Sequence, residues 1–458
     1  MTISDPQIET QLIEHLYRVG YDDLDDTTVA CCKRLVMDTL AVAFPGRTAP
    51  GCPEVRSMVE SWPSPLGASV LFSPFKAAPP AAAMANSTMM HALDFDDTLD
   101  VSALHTFVTV LPASLAAAEA VDGVDGKTLI TALALGVDVI CRISLGIRRP
   151  LSWIRTATCG GFGAAAAAAK ILGLDRDQIW DALGIVYAQT AGNAQGLLEG
   201  RLVKRMQPAF AASAGVTAAF LAARGITGSR AFLTGNYGYY PLYEQGDLDP
   251  EPVLADLGRH FAVTDLSIKP YPCCRMTHSA IDAALAARPA VGSAEAITRI
   301  EVHASSMVTE MVGKPFRIGK NPQVDAQFSI PYTVACALVR GDVFLGDFEL
   351  EAIHRKEVLD LAAKVKVFED KALAAKDILP ARLCVHRNGA APVETRIEAP
   401  LGNPLRPMTD DQCRRKFEKC LDYSGYAIDA GTRDDLLASI AALETLSDVR
   451  SLLAPVTR

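Results

Sequence analysis

The chain has 458 residues, half of them hydrophobic, with 11 cysteines and a formal charge of -9. That length exceeds one ordinary core, so two domains are expected. The mild acidity argues against a nucleic-acid surface, though a local Lys/Arg cluster can still hold an anion inside an acidic protein. Cys31-Cys32 and Cys273-Cys274 are vicinal pairs without zinc-type C-x-x-C spacing. The Met1–Pro6 start carries no basic-then-apolar leader pattern. No uninterrupted apolar stretch reaches the roughly 18 residues of a membrane span. A reduced, cytoplasmic chain without a membrane partner is the expectation.

In chain order, residues 6–45 read as two helices, with Asp25-Asp26-Thr27-Thr28 as the cap of the second. Pro and Gly punctuate 47–66, with one helix expected near Val55–Glu60. Ala81–Met90, Ala113–Glu119 and Lys127–Ile147 follow as helices. Gly160–Lys170 is almost all Gly and Ala, which suits a central helix packed on every side. A phosphate loop there is the weaker reading, because no strand precedes it and no Gly-Lys-Ser/Thr follows. Asp175–Ala191 and Pro208–Arg224 are further helices, and Gly235–Tyr240 reads as a loop.

Around residue 263 the period changes. Ile297–Ala304 alternates apolar and polar residues, as do Val365–Phe368 and Ala381–Arg387. Asn388-Gly389 signals a hairpin into Val393–Glu398. Helices are expected at His278–Ala287, Ile330–Val339 and Phe348–Val358, then at Asp410–Leu421 and Arg433–Leu453. The fold class expected is mainly α: a large all-helical domain (1–262 with 401–458) and a smaller α+β lid domain (263–400).

Four stretches carry the chemistry. In 86–112, His91, Asp94, Asp96, Asp97, Thr98, Asp100 and His105 crowd an apolar, Ala-rich setting. Continued helical spacing would put His91, Asp94 and Thr98 on one face. Acid/base groups at a pocket mouth is one reading; a helix end with a solvated acidic loop is the other. Lys269-Pro-Tyr-Pro-Cys-Cys-Arg-Met-Thr-His278 holds Lys269, Arg275 and His278 on a proline-stiffened backbone. Lys and Arg form a carboxylate-binding pair, and a structural turn with surface cations is the alternative. Lys204-Arg205 is a second basic pair, and Tyr332 lies in Phe328–Ala335; alone, these suit a solvated patch and a core tyrosine.

Together these stretches resemble the MmgE/PrpD family. The carriers are His91–Thr98 with its following His loop, Gly163–Leu174, Val203–Arg205, Lys269–His278, Asp325–Ala335 and the Pro-Leu-Gly…Pro-Met-Thr run at 400–409. The resemblance implies a homodimeric, cofactor-independent enzyme with no metal, an all-helical domain plus an α+β lid, and a pocket between them. Family members include 2-methylcitrate dehydratase, cis-aconitate decarboxylase and iminodisuccinate epimerase. It further implies His105, Asp94, Lys269 and Tyr332 as catalytic residues, and Thr98, Arg275 and His278 as substrate-binding ones; Lys204 of the basic pair and Arg155, which stands beside the position of the missing family imidazole, are local candidates for binding a substrate carboxylate. The expected reaction is a lyase step, dehydration or decarboxylation, on a small di- or tricarboxylate. It needs a base, an acid and cations to hold enolate-like charge.

Three features differ from the common family pattern: Ile154 stands where an imidazole is usual, Ser213 where a basic side chain is usual, and Thr106-Phe107 follows the loop His105 where a Pro is usual. Ile154 and Ser213 motivate a binding protein without chemistry as one alternative; an epimerase/isomerase is the other, because it uses the same proton abstraction and differs only in what leaves. Asp96-Asp97-Thr-Leu-Asp100 also spells the D-D-x-x-D magnesium motif of terpene synthases, but no second metal motif follows.

Overall fold

The computed structural model describes residues 7–62, 64, 66–149 and 153–457; the Met1–Pro6 start, read above as free of a leader pattern, lies outside the described residues. The chain divides into two compact units. One comprises Met1–Ala92, Asp96–Leu266 and Asp410–Arg458; the other comprises Leu93–Phe95 and Ser267–Thr409.

The first unit is helical. Its principal helices are α1 (Gln7–Arg18), α2 (Asp26–Gly46), α3 (Pro79–His91), α4 (Phe107–Glu119), α5 (Gly126–Leu145), α6 (Gly160–Ile171), α7 (Arg176–Tyr187) and α8 (Val203–Ala222). Asp25 caps α2 by accepting from the Thr28 N–H at 2.7 Å, which satisfies one of the donors a helix start leaves unpaired. Helix α3 opens on Pro79-Pro80, where a missing N–H costs no helical hydrogen bond.

Helix α5 is long and apolar enough to cross a membrane, yet it is almost wholly buried inside the protein. An apolar helix enclosed on all sides is a core helix. It crosses α6 at backbone contact. A Cβ added to Gly163 would lie 2.5 Å from the Gly136 carbonyl, and one added to Gly136 would lie 2.8 Å from the Gly163 carbonyl. The small residues of 160–170 exist to allow that approach. The tail helices Asp410–Ser424 and Ala430–Ala441 complete the unit. Lys416 Nζ reaches Asp38 Oδ1 of α2 at 2.6 Å, both side chains buried.

The second unit holds α9 (His278–Val291), β1 (Ile297–Ala304), α10 (Ile330–Arg340), β2 (Val365–Glu369), β3 (Ala381–Arg387) and β4 (Ala390–Ile397). The sheet order is β2-β1-β3-β4. β1 runs parallel to β2 and antiparallel to β3, and β3 pairs antiparallel with β4. Asn388-Gly389 makes the tight β3–β4 turn, with Gly389 at φ +66°. Ile300, Val302, Leu383 and Val385 face one way and build a core with Ala280, Ile281 and Ala284 of α9 and Val334 and Leu338 of α10. Glu301, Cys384 and Glu394 form a cross-strand row on the opposite face. The architecture is therefore mainly α, with a smaller mixed α+β part.

Local expectations fail where tertiary contacts override period. The stretch after His91 is not helical: α3 ends there, and Asp94 takes φ +54°. His91, Asp94 and Thr98 therefore share no helix face. The acidic loop is not solvated either, since Asp96, Asp97 and Asp100 are buried. Phe348–Val358 splits into Leu350–Ile353 and Lys356–Ala362. Arg433–Leu453 breaks after Ala441 and resumes only at Arg450–Leu453. Gly235–Tyr240 runs into a short helix at Tyr239–Tyr243.

Candidate functional site

In the helical unit, the end of α3 and the loop before α4 build a buried hydrogen-bonded chain. His91 Nδ1 lies 2.8 Å from Asp96 Oδ2, and His105 Nδ1 lies 3.1 Å from the same oxygen. His105 Nδ1 also lies 2.7 Å from the Asp97 carbonyl oxygen. A carbonyl only accepts, so Nδ1 carries hydrogen and the neutral ring keeps its lone pair on Nε2. The ring is 15% exposed, while His91 and Asp96 are enclosed. His105 is thus a partly accessible imidazole held in one tautomer by an acidic loop.

Lys204, at the start of α8, approaches His91 Nε2 at 3.2 Å. An ammonium only donates, so the His91 proton sits on Nδ1 and points at Asp96. Burial, with the Lys204 charge adding to it, brings the His91 imidazole down to about 4 against the pull of Asp96. Burial alone would raise the Asp96 carboxyl, but the His105 and His91 imidazoles outweigh it and hold Asp96 well below the carboxylate range. Asp97 is pushed up to about 6 by burial and by the Asp96 charge. It accepts from the Thr106 N–H and hydroxyl at 2.9 and 2.8 Å and from the Phe107 N–H at 3.1 Å, closing the start of α4.

His91, Asp96 and His105 also present donor atoms within the spacing of a metal site. Both nitrogens of His91 and Nδ1 of His105 are already engaged, however, so an ion would have to displace these protons. A carboxylate–imidazole proton relay fits these contacts better.

Thr98 is buried in the same loop. Arg155 is buried as well; its Nη2 donates to the Arg149 carbonyl at 2.8 Å, and its Nη1 lies 3.4 Å from Ser102 Oγ. Thr156 Oγ1 accepts the His105 N–H at 3.1 Å, which seats the 153–156 segment beside the His105 loop. A cavity of about 220 Å³ in this unit is lined by Ala157, Gly161, Val186, Asn193, Gln207 and Phe210 among others, none of them charged. Among the described residues that line it there is no cation for a carboxylate.

In the second unit, Lys269 and Asp94 come together. Lys269 Nζ donates to the Asp94 carbonyl at 2.9 Å and stands 3.4 Å from its carboxylate. The lysine is only 2% exposed. Arg275 is buried too; Nη2 reaches Ser267 Oγ and Nη1 reaches the Leu401 carbonyl, each at 3.1 Å. Nη1 also donates to His278 Nδ1 at 3.1 Å, and His278 Nε2 lies 3.3 Å from the Cys273 carbonyl. Burial first, then the Arg275 and Lys269 charges, drive the His278 imidazole well below its usual range. His278 is a neutral clamp that orients Arg275.

Tyr332 stands apart from this group in its contacts. It is fully buried near Phe316 and Phe348, and its hydroxyl donates to the Asp347 carbonyl. Burial raises its phenol far above the usual range. Acting as an acid, it would first have to release that bond.

Sequence reasoning placed Asp96 and Asp97 only within the acid/base cluster and the D-D-x-x-D motif and gave neither a role of its own, and it missed Ser267 and Asp282. Asp282 accepts from the Tyr271 hydroxyl at 2.6 Å and from the Leu401 N–H and Arg406 at 2.7 Å each. The 400–409 run is thereby anchored beside Arg275. The available signal was a Pro-Tyr-Pro tyrosine followed by a helix with an acidic residue one turn in.

Residues 10–251 match the MmgE/PrpD N-terminal domain, and residues 271–437 match the MmgE/PrpD C-terminal domain. The chain belongs to the MmgE/PrpD family. It is 28% identical to the cis-aconitate decarboxylase-like protein oryM of Aspergillus oryzae, across 100% of this chain and 99% of that protein. It is 27% identical to the cis-aconitate decarboxylase of Aspergillus terreus (97% and 95% covered) and 26% identical to that of Homo sapiens (95% and 91%). This MmgE/PrpD chain therefore stands in a family whose members include lyases acting on carboxylates.

Proposed function

We propose that the protein is a cofactor-independent lyase that removes water or carbon dioxide from a small di- or tricarboxylate by proton transfer next to a carboxylate. The observation that carries this reading is the His105 imidazole: its Nδ1 is held by the Asp97 carbonyl and Asp96, and its Nε2 is left as a base. Full-length similarity to proteins named cis-aconitate decarboxylase supports the substrate class. In this reading His105 moves the proton, and Asp96 stabilises the imidazolium that forms. Lys269 and Arg275 hold substrate carboxylates, with His278 orienting Arg275, and Lys204 sets the His91–Asp96 end of the relay. Thr98, Asp94 and Arg155 orient substrate or loop, and Tyr332 donates a hydrogen bond once released. The reading carries with it a cytoplasmic homodimer.

The test is proton NMR in heavy water with methylcitrate, citrate, cis-aconitate and hydroxy- or iminosuccinates. Loss of an α-proton signal with a new vinyl signal supports the lyase, and the product's carbon count separates dehydration from decarboxylation. Deuterium wash-in with inversion and no loss of atoms would replace it with an epimerase.

A further inference from the structure

The face of the sheet turned away from α9 and α10 carries a second group of donor atoms, unconnected with the carboxylate chemistry. Glu301 of β1 is the register partner of Cys384 of β3, and Cys384 is that of Glu394 of β4. Strand residues two apart share a face, so His303 joins Glu301 and His386 joins Cys384. Cys384 Sγ lies 3.5 Å from His386 Nε2, which lies 3.6 Å from Glu301 Oε2. The three donor atoms all fall within 4.8 Å of one another.

A tetrahedral ion with metal–ligand lengths of about 2.3 Å to sulfur and about 2.0–2.1 Å to nitrogen and oxygen has an S···N edge of about 3.6 Å and an N···O edge of about 3.3 Å. The S···N spacing of 3.5 Å matches its edge, and the N···O spacing of 3.6 Å lies about 0.3 Å beyond its own. His303 adds an independent observation: its Nε2 is buried, has no hydrogen-bond partner, and lies 3.9 Å from the same Glu301 oxygen. Arg299 is the competing cation, with Nη2 2.9 Å from Glu301 Oε1 and 3.4 Å from His386 Nε2. It is half-exposed, so it can swing into solvent.

We propose that Glu301, Cys384 and His386 bind a divalent ion of the zinc class on the outer face of the β-sheet, with the remaining position filled by water or His303. A mixed thiolate, imidazole and carboxylate set selects zinc or cobalt over magnesium and calcium, which take oxygen donors. Such an ion ties β1 to β3.

The experiment is a Co²⁺ titration of the reduced full-length chain, followed by absorption. The expected result is one equivalent bound, with thiolate-to-cobalt charge transfer in the near ultraviolet, tetrahedral bands in the visible, and displacement by Zn²⁺. Charge transfer disappears in Cys384→Ser. Affinity falls by at least about 10-fold in His386→Asn, the scale on which even outer partners of a metal act. His91→Asn leaves the spectrum unchanged. No thiolate band at one equivalent, an undiminished band in Cys384→Ser, or loss in His91→Asn would each overturn the site. If Cys384→Ser does not fold, melting temperature serves instead: Zn²⁺ raises it for the native chain and not for Glu301→Ala. An equal rise in both rejects the proposal.

Discussion

At the residue scale, the informative atom is His105 Nδ1. Its carbonyl partner can only accept, so the tautomer follows from geometry rather than from any assigned hydrogen. His105→Ala should lower kcat by about 10²–10⁴-fold, the usual contribution of a positioned base. Calorimetry should find the affinity for a carboxylate ligand nearly unchanged in that variant. Unaltered turnover would remove His105 from the mechanism. Arg275 poses the complementary question. Its guanidinium is aimed by His278, Ser267 and the Leu401 carbonyl, a geometry that a lysine point charge does not reproduce. Arg275→Lys should raise KM more than it lowers kcat, the signature of lost ground-state binding. A fall confined to kcat would assign Arg275 to the transition state alone.

At the element scale, the α5–α6 crossing and the tail are the tested joints. Gly163→Ala places a methyl against the Gly136 carbonyl, so the helices must separate; overpacking of this kind costs about 1–3 kcal/mol. Urea unfolding should show it, and an unchanged midpoint would mean that the crossing yields freely. Lys416→Met leaves Asp38 buried without its cation, and breaking such a pair costs about 3–5 kcal/mol. The small-residue run and the Asp25 cap were legible in the sequence because close packing and capping depend on local residue type. The helix ends at His91 and Ala441 were not. Helical period continues past both, and after His91 the chain turns because Asp96 and Asp97 are drawn into buried hydrogen bonds.

At the scale of the whole molecule, the acidic loop makes stability depend on pH. His91 is brought down to about 4 in the fold from an ordinary value near 6.5. Below that value the unfolded chain takes up a proton that the folded chain refuses. The stabilisation is therefore present above about pH 6.5 and lost as pH falls towards about 4. At about 1.4 kcal/mol per unit the loss approaches about 3 kcal/mol. Asp97, pushed up to about 6, acts with the opposite sign, and comparison with His91→Asn cancels it. The stability gap between the native chain and His91→Asn should shrink between pH 7 and pH 4; a constant gap would show that His91 titrates normally.

The sequence by itself determined the element types, the change from helical to strand period near residue 263, and the ordered motifs that mark the MmgE/PrpD family. Each of these is local or linear: periodicity, capping and turn chemistry act over a few residues. Only the tertiary structure decided which charges are buried, which oxygen holds the His105 proton, that His278 serves Arg275, and that the Tyr332 hydroxyl is already committed to Asp347. It also brought Glu301 beside Cys384 and His386, some eighty residues away in the chain. Burial and hydrogen-bond direction depend on partners distant in sequence, and those partners exist only once the helices and the sheet have packed.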